Sequence, residues 1–263
     1  MTDSIRQSAD RPLEAIILAA GKGTRMGSDL AKVLHPVADR PMVQWVIDAC
    51  EAAGTRRVIV VVGHQAEAVR EALADRDNVE FVEQTEQLGT GHAVMMAAPL
   101  YPADQRDCDV LVLCGDGPLI SDDTLKTLVT THREADACAT LATSVIEDAT
   151  GYGRIVRHAD GRFQRIVEHK DATDAERQIR EINPSYYCFR AADLFRELDR
   201  IDNDNAKGEY YLTDVLGLLT GDGKTVQVVD AVPPQDVLSI NTPQQLAEVD
   251  ALLRRRLGME IHG

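Results

Sequence analysis

A short segment near the amino terminus combines flexible residues with positive charge. It reads LAAGKGTRMGSDLAKVLHPV, spans residues 18–37 and follows an apolar run typical of a buried strand. Gly21 and Gly23 allow a phosphate to approach the backbone N–H groups closely, while Arg25 and Lys32 carry charge that can neutralise it. The segment therefore predicts a phosphate-binding loop after the first strand, which is where open α/β sheets bind ligands.

Two common phosphate-binding motifs do not fit this loop. The P-loop pattern G-x-x-x-x-G-K-[ST] needs Ser or Thr after its lysine, but Lys22 is followed by Gly23. The dinucleotide pattern G-x-G-x-x-G needs glycine at position 26, where Met26 stands, and Gly27 comes one place late. Both folds are thus disfavoured, and a solvated turn with incidental charges is the structural alternative.

Two oxygen-bearing side chains follow other apolar strands. Asp116 comes after DVLVLCG, and Asn241 comes after VLSI, just before a predicted helix. Carboxylate and amide oxygens are hard ligands that suit Mg²⁺, which takes further contacts from substrate phosphates. The pair predicts a magnesium site. The alternatives are a turn aspartate and a helix-capping asparagine, although Thr242 can cap that helix instead.

A polar loop at Gln84 has the groups needed to recognise a nucleobase. The amide of Gln84 offers a donor and an acceptor, and Gly89–Thr90 opens the next helix with exposed backbone N–H groups. In isolation, a glutamine in a loop is more often simply solvated. Its place before QLGTGH makes a binding role the stronger interpretation.

Apolar, β-branched runs alternate with segments of helical periodicity over residues 13–145. The runs are Ala15–Ala19, Arg57–Val62, Val79–Val82, Asp109–Cys114 and Ala139–Val145. The helical segments are Pro41–Ala53, Gln65–Ala74, His92–Ala98 and Asp122–Glu134. This alternation predicts right-handed crossovers and a mostly parallel sheet covered on both faces, that is, a three-layer α/β fold.

The second half of the chain has a different texture. After Thr150, the stretch GRIVRHADGRFQRIVEHK predicts a hairpin across an Asp-Gly turn. The later predicted elements are strands Glu181–Phe189 and Thr225–Val229, helices Ala191–Leu198 and Tyr210–Leu219, and a closing helix from about Thr242. We therefore expect a polar tail at 1–12, one domain at 13–241 with a small β-hairpin lobe at roughly 150–190, and a carboxy-terminal helix and tail at 242–263.

Composition restricts the possible partners. The 28 Lys+Arg against 43 Asp+Glu give a formal net charge of −15, which argues against nucleic-acid and anionic-membrane surfaces. Five cysteines without a C-x-x-C pair suggest reduced thiols. The polar start MTDSIRQSADR lacks the apolar core of a signal peptide. Together these features predict a cytoplasmic protein.

Several motifs occur in the order found in one enzyme family. The loop resembles the L-A-A-G-x-G-T-R-M and K-V-L-H signature of sugar-nucleotide pyrophosphorylases. The matching segments after it are QTEQLGTGHAV (84–94), GDGPL (115–119), GYGRIV (151–156), IVEHKDA (166–172), EIN (181–183) and NAKGEYYLTD (205–214), followed by Asn241. Together they span most of the chain and are similar to the bacterial N-acetylglucosamine-1-phosphate uridylyltransferases.

The resemblance implies a nucleotide-diphospho-sugar transferase fold and a Mg²⁺-dependent reaction of UTP with N-acetylglucosamine 1-phosphate, which gives UDP-N-acetylglucosamine and pyrophosphate. It implies catalytic roles for Arg25 and Lys32 and metal binding by Asp116 and Asn241. The residues that it assigns to the nucleotide are Leu18, Ala19, Ala20, Gly21, Lys32, Gln84, Gly89 and Thr90. Those that it assigns to the substrate are Cys114, Gly115, Asp116, Gly153, Glu168, Asn183 and Asn241.

The chain departs from the family pattern at three places. Ala31 replaces the usual proline, Cys114 the usual tyrosine, and Pro184–Ser185 the usual Thr-Gly. Two alternatives therefore remain: a related pyrophosphorylase for another sugar 1-phosphate or nucleoside triphosphate, and a non-catalytic nucleotide-sugar-binding module. We expect no acetyltransferase domain, because no hexapeptide repeats follow the closing helix. The oligomeric state is open.

Overall fold

A mixed sheet forms the centre of the protein. The computed structural model describes residues 11–260. The strands of this sheet are β1 Leu13–Leu18, β4 Arg57–Val62, β5 Val79–Glu83, β6 Asp109–Cys114, β7 Ala139–Val145, β10 Glu181–Arg190 and β11 Val226–Asp230. They run in the order β11-β7-β10-β6-β1-β4-β5. Only β10 lies antiparallel to its neighbours in this row, so the predicted mostly parallel sheet is confirmed.

Helices cover both faces of this sheet. One face packs against α1 Met42–Ala52, α2 Ala66–Ala72, α4 Asp122–Glu134 and α8 Pro243–Leu257. The other packs against α3 Thr90–Met95, α6 Ala191–Leu198 and α7 Thr213–Gly221. The central strands β1, β4 and β6 are almost wholly buried, as expected of parallel strands covered on both sides. The predicted three-layer α/β fold is therefore confirmed.

A smaller antiparallel region continues from one end of β10. The hairpin strands β8 Gly153–Arg157 and β9 Phe163–Val167 pair with each other, and β8 pairs with β10 at Ile182 and Asn183. The short helix α5 Asp174–Arg177 lies between this hairpin and β10. Two further short strands, β2 Pro36–Val37 and β3 Arg40–Pro41, form a separate hairpin.

Where the structure differs from the expected boundaries, tertiary contacts explain the difference. Helix α7 begins at Thr213 rather than Tyr210, because the residues before it run along the loop that precedes α3. Tyr210 donates its N–H to the carbonyl of Leu88 at 2.7 Å, and its own carbonyl accepts the N–H of Gly91 at 2.8 Å. Helix α3 begins at Thr90, two residues before His92. Of the predicted tails, residues 1–10 and 261–263 lie outside the described residues.

None of the helices described between residues 11 and 260 has the length and apolar character needed to cross a membrane.

A buried ion network anchors the amino end of β6, at the opposite end of that strand from Asp116. The carboxylate of Asp109 is fully buried and accepts hydrogen bonds from Arg11 at 2.8 Å and Arg133 at 2.9 Å. His132 lies 3.5 Å away. Burial alone would raise the pKa of Asp109, but the nearby His132 and the hydrogen bonds from the two arginines outweigh it and hold that pKa below its ordinary value.

Replacing Asp109 with Asn should destabilise the protein by roughly 3–5 kcal/mol at neutral pH, because two guanidinium groups lose their buried carboxylate. Since the folded-state pKa is lowered, this stabilisation is present above the pKa of an unfolded aspartate and is lost as pH falls through the folded value. The difference in unfolding free energy between the two proteins should therefore shrink below about pH 4. Urea unfolding across this pH range measures it.

The exposed neighbour Asp107 supplies the control. Asp107→Asn should change the unfolding free energy by less than about 0.5 kcal/mol. Equal stability of Asp109→Asn and Asp107→Asn at neutral pH would contradict the assigned role of the buried network.

Candidate active site

A cleft opens at the carboxyl ends of β1 and β6. It contains two cavities of about 230 and 120 Å³, which share Leu18, Thr90, Cys114 and Glu209 in their walls. The larger is lined by predicted residues from four separate segments: Leu18, Ala19, Ala20, Gly21, Lys32, Gln84, Gly89, Thr90, Cys114 and Asp116. Of the predicted residues, Leu18, Thr90, Cys114 and Glu168 line the smaller one.

The glycine loop reaches this cleft through backbone conformations that favour glycine. Gly23 has φ 62°, and a Cβ atom there would lie 2.7 Å from Cβ of Lys32. Gly27 has φ 61°. From outside the loop, the side-chain amide of Gln65 donates to the carbonyl of Asp29 and accepts the N–H of Ala31 at 3.0 Å. These contacts hold the segment that ends at Lys32 against the body of the domain.

Four predicted residues from distant parts of the chain meet at the mouth of the larger cavity. The ammonium group of Lys32 contacts Oδ2 of Asp116 and lies 2.7 Å from Oδ1 of Asn241. Arg25 donates to the same Oδ1 at 2.9 Å. The side chains of Lys32 and Asp116 are only 13% and 18% exposed. Two cations and two oxygen ligands are thus concentrated beside a pocket of suitable size for a phosphate chain.

The chemistry of Asp116 and Asn241 fits a divalent cation. Oxygens of both side chains contact the ammonium group of Lys32, which shows that this position favours positive charge. Both are hard oxygen donors, and Mg²⁺ needs only one or two protein ligands when substrate phosphates supply the others. Within residues 11–260 no group of three or more His, Cys, Asp or Glu side chains is placed to hold a metal. A metal here would therefore depend on the substrate for most of its ligands.

Asn241 is not the cap of α8. The hydroxyl of Thr242 accepts the N–H of Gln245 at 3.3 Å and so caps the helix. The amide nitrogen of Asn241 donates to Ser239 at 3.2 Å, which leaves its oxygen directed at Lys32 and Arg25. The capping alternative for Asn241 is thereby removed.

Gln84 lines the larger cavity and is only 3% exposed. Its amide nitrogen lies 3.1 Å from the carbonyl oxygen of Gly89 and 3.0 Å from Nδ1 of His92. Gly89 has φ 111°, and a Cβ atom there would lie 2.6 Å from the carbonyl oxygen of Tyr210, so only glycine fits. The hydroxyl of Thr90 accepts the N–H of Leu212 at 3.1 Å. The sequence predicted that Gln84 offers both a donor and an acceptor to a ligand. In the structure its amide nitrogen faces groups of the protein, so only its oxygen is available to a ligand.

The smaller cavity carries a half-buried carboxylate, that of Glu168. Oε1 of Glu168 accepts the hydroxyl of Thr213 at 3.3 Å, and burial raises the pKa of Glu168, an effect that the charge of Lys207 opposes. A Cβ atom on Gly153 would lie 3.5 Å from the same Oε1. The predicted Glu168 is therefore placed to accept hydrogen bonds from a ligand, and Gly153 leaves room beside it.

Two other predicted residues contribute through packing. Asn183 is buried and donates to the hydroxyl of Tyr187 at 2.6 Å, while its oxygen accepts the N–H of Ser185 at 3.0 Å. Gly115 donates its N–H to Leu18 at 2.9 Å, and a Cβ atom there would crowd that same backbone. Both shape the walls of the cleft from behind.

Sequence reasoning assigned no role to some residues that line the cleft. In the smaller cavity these include Tyr187, Lys207, Glu209, Tyr211 and Thr213. Most belong to the segment NAKGEYYLTD, which was noted only as a motif. Its fold depends on Asn205, whose oxygen accepts the N–H groups of Lys207 and Glu209.

Comparison with known proteins agrees with this architecture. A family model described as the MobA-like NTP transferase domain matches residues 15–215. A solved UDP-glucose pyrophosphorylase in complex with UDP-glucose superposes with a TM-score of 0.76 over 93% of this chain and 99% of that one. At 18% identity this likeness concerns the fold alone, and it confirms the predicted nucleotide-diphospho-sugar transferase type.

Similar sequences carry one name. The bifunctional protein GlmU of Brevibacillus brevis is 48% identical over 93% of this chain, and that of Geobacter metallireducens is 49% identical over 95%. The chain spans about half the length of these two relatives, 52% of each. GlmU of Desulfotalea psychrophila is 48% identical over 96% of this chain, which covers 74% of that protein. The chain therefore belongs to the MobA-like NTP transferase domain family and, over the part that they share, to the family of the bifunctional protein GlmU.

Proposed function

We propose that the protein is a nucleotidyltransferase that converts UTP and N-acetylglucosamine 1-phosphate to UDP-N-acetylglucosamine and pyrophosphate. The observation that carries this proposal is the meeting of Arg25, Lys32, Asp116 and Asn241 at the larger of two cavities that share wall residues. The larger cavity is lined by Gln84 and suits a base. The other contains a carboxylate and a hydroxyl and suits a sugar. The similarity to GlmU proteins supports the same assignment.

In this reaction an oxygen of the sugar phosphate attacks the α-phosphorus of UTP in line. A new P–O bond forms, the bond to the β-phosphate oxygen breaks, and pyrophosphate leaves with that electron pair. No covalent enzyme intermediate is needed, so catalysis rests on positioning and on neutralisation of charge. Lys32 lines the larger cavity, and Arg25 approaches from the exposed loop. We assign them to the phosphates and to the departing pyrophosphate.

Asp116 and Asn241 are the residues that would hold Mg²⁺. When bound, the ion would neutralise phosphate charge and help to orient the triphosphate. The chain itself prepares these ligands: the carbonyl of Asp116 accepts the N–H of Ile240 at 2.9 Å, which ties the end of β6 to the segment before α8. Gln245 fixes the backbone of Asn241 from within α8 at 2.8 Å.

Two other functions are less well supported. A related pyrophosphorylase for another sugar or nucleotide would use the same phosphate site. It would differ from our proposal only in the base and the sugar that the two cavities accept. A non-catalytic binding module would not need Arg25 and Lys32 clustered with two metal-type ligands. We further propose a cytoplasmic setting, which is supported by five free cysteines, four of them buried.

A pyrophosphate-release assay that crosses nucleoside triphosphates with sugar 1-phosphates tests the proposed function. We expect the highest kcat/KM with UTP and N-acetylglucosamine 1-phosphate, because Gln84 and Glu168 select the two ends of the product. Product formation is confirmed by mass spectrometry. A higher kcat/KM with ATP, or with glucose 1-phosphate, would replace the proposed substrates by the related pyrophosphorylase.

Arg25→Ala should lower kcat by about 100-fold or more, because a charge that acts on the transferring phosphate is lost. Its melting temperature should not change, since the side chain of Arg25 is exposed. The matched control is Arg255→Ala, an exposed arginine on α8 that should keep full activity. Equal kcat in the two variants would exclude Arg25 from the reaction.

Chelation should abolish turnover, and added Mg²⁺ should restore it. Asp116→Asn and Asn241→Ala should each remove most of the turnover while the far-ultraviolet circular dichroism spectrum is kept. Thr242→Ala is the control for Asn241→Ala: loss of the α8 cap should cost about 1 kcal/mol of stability and leave kcat unaffected. Full activity in excess chelator, or in Asn241→Ala, would rule out this metal site.

A further inference from the structure

His92 lies inside the motif QLGTGHAV, and the proposed reaction gives it no role. It lies in the first turn of α3 and is half-buried. Its Nδ1 atom is 3.0 Å from the amide nitrogen of Gln84, and that same nitrogen is 3.1 Å from the carbonyl oxygen of Gly89. One amide nitrogen therefore faces two potential acceptors.

The chemistry of these groups determines the direction of both bonds. A backbone carbonyl can only accept, so the NH₂ end of the Gln84 amide, and not its oxygen, must face Gly89. Nδ1 of His92 contacts the same NH₂ group and must therefore accept as well. The imidazole is then neutral and carries its proton on Nε2. Both hydrogens of the Gln84 amide are thus used within the protein.

The remaining atom of the amide, Oε1, has no hydrogen-bond partner among residues 11–260, and Gln84 lines the larger cavity. It presents an acceptor, and only an acceptor, to whatever base enters. The N3–H of uracil is a donor and can bond to it. Unprotonated N3 of cytosine and N1 of adenine are acceptors. Either atom would direct a lone pair at the lone pairs of Oε1, and the two would repel each other.

We propose that His92 is a positioning residue that locks the Gln84 amide in the orientation that selects uracil over cytosine. The identity of the base rests on the proposed function, whereas the lock itself rests on hydrogen-bond geometry. Without Nδ1, one of the two bonds that hold the amide is lost, and the cost of turning it to offer NH₂ to cytosine falls.

The test uses two substitutions of nearly equal shape. His92→Leu removes the acceptor, whereas His92→Asn keeps an oxygen or nitrogen close to the position of Nδ1. We expect His92→Leu to lower the ratio of kcat/KM for UTP to that for CTP by about three- to tenfold, mainly through KM. His92→Asn should keep most of the ratio, and neither variant should change kcat for UTP strongly, because the imidazole bonds to Gln84 and not to Arg25 or Lys32.

Calorimetric binding of UTP and CTP without sugar phosphate gives a second measurement, which does not depend on turnover. The parent protein should bind UTP better than CTP, and it should bind N3-methyl-UTP weakly, since the methyl group replaces the donor. His92→Leu should reduce the UTP preference in binding by the same factor as in kcat/KM.

An unchanged ratio in His92→Leu would overturn the inference, as would an equal fall in His92→Asn, which would indicate packing instead. Failure of the proposed function looks different: the parent protein would release no pyrophosphate from UTP with N-acetylglucosamine 1-phosphate. If that parent still bound UTP over CTP and His92→Leu reduced the preference, the lock would stand without the proposed reaction. If the parent protein bound UTP, CTP and N3-methyl-UTP equally well, the proposed lock on the Gln84 amide would be excluded.

Discussion

The contact of Lys32 with Asp116 and Asn241 joins the glycine loop, the end of a central strand and the start of the last helix. Bringing these segments together costs free energy, because the charged groups of Lys32 and Asp116 lose water when they enter a partly buried site. The surrounding fold offsets that loss. Parallel strands β1 and β6 place their carboxyl ends side by side, and α8 brings Asn241 back to the same edge. The cavities, the loop geometry and the proposed chemistry all depend on this convergence.

Much of the fold was predictable because hydrophobic periodicity reports burial directly. The bounds of β4, β6, β7, α4 and α6 agree with the sequence prediction. Deviations arise where distant backbone competes with local preference. Residues before Thr213 have helical periodicity, but they bond instead to the loop at Leu88–Gly91, so α7 starts late. Such pairing depends on residues more than a hundred positions away, which no local pattern encodes.

In the candidate site, too, the chemistry of single residues could be predicted from the sequence, whereas contacts between distant residues could not. Residue types at Arg25, Lys32 and Asp116 already indicated phosphate and metal chemistry. The competing interpretations of Asn241 could be separated only when Thr242 was seen to bond Gln245. For Gln84 the residue type was informative, but the orientation of its amide was not, because that is set by a carbonyl and an imidazole from a different element. The roles of the site residues in substrate binding and catalysis stay predictions.

The position of β10 between β6 and β7 also affects how the chain folds. As synthesis proceeds, β1, β4 and β6 can pair as soon as residue 114 has emerged, but the outer edge of β6 gains its partner only when Tyr186–Arg190 arrive. Until then an apolar, hydrogen-bonding strand edge stays open, which is the kind of surface that recruits other chains during folding. Insertion of one antiparallel strand between distant partners also raises the contact order and slows closure of the sheet. The strand that closes this edge also carries the lobe and supplies Ser185 and Tyr187 to the smaller cavity.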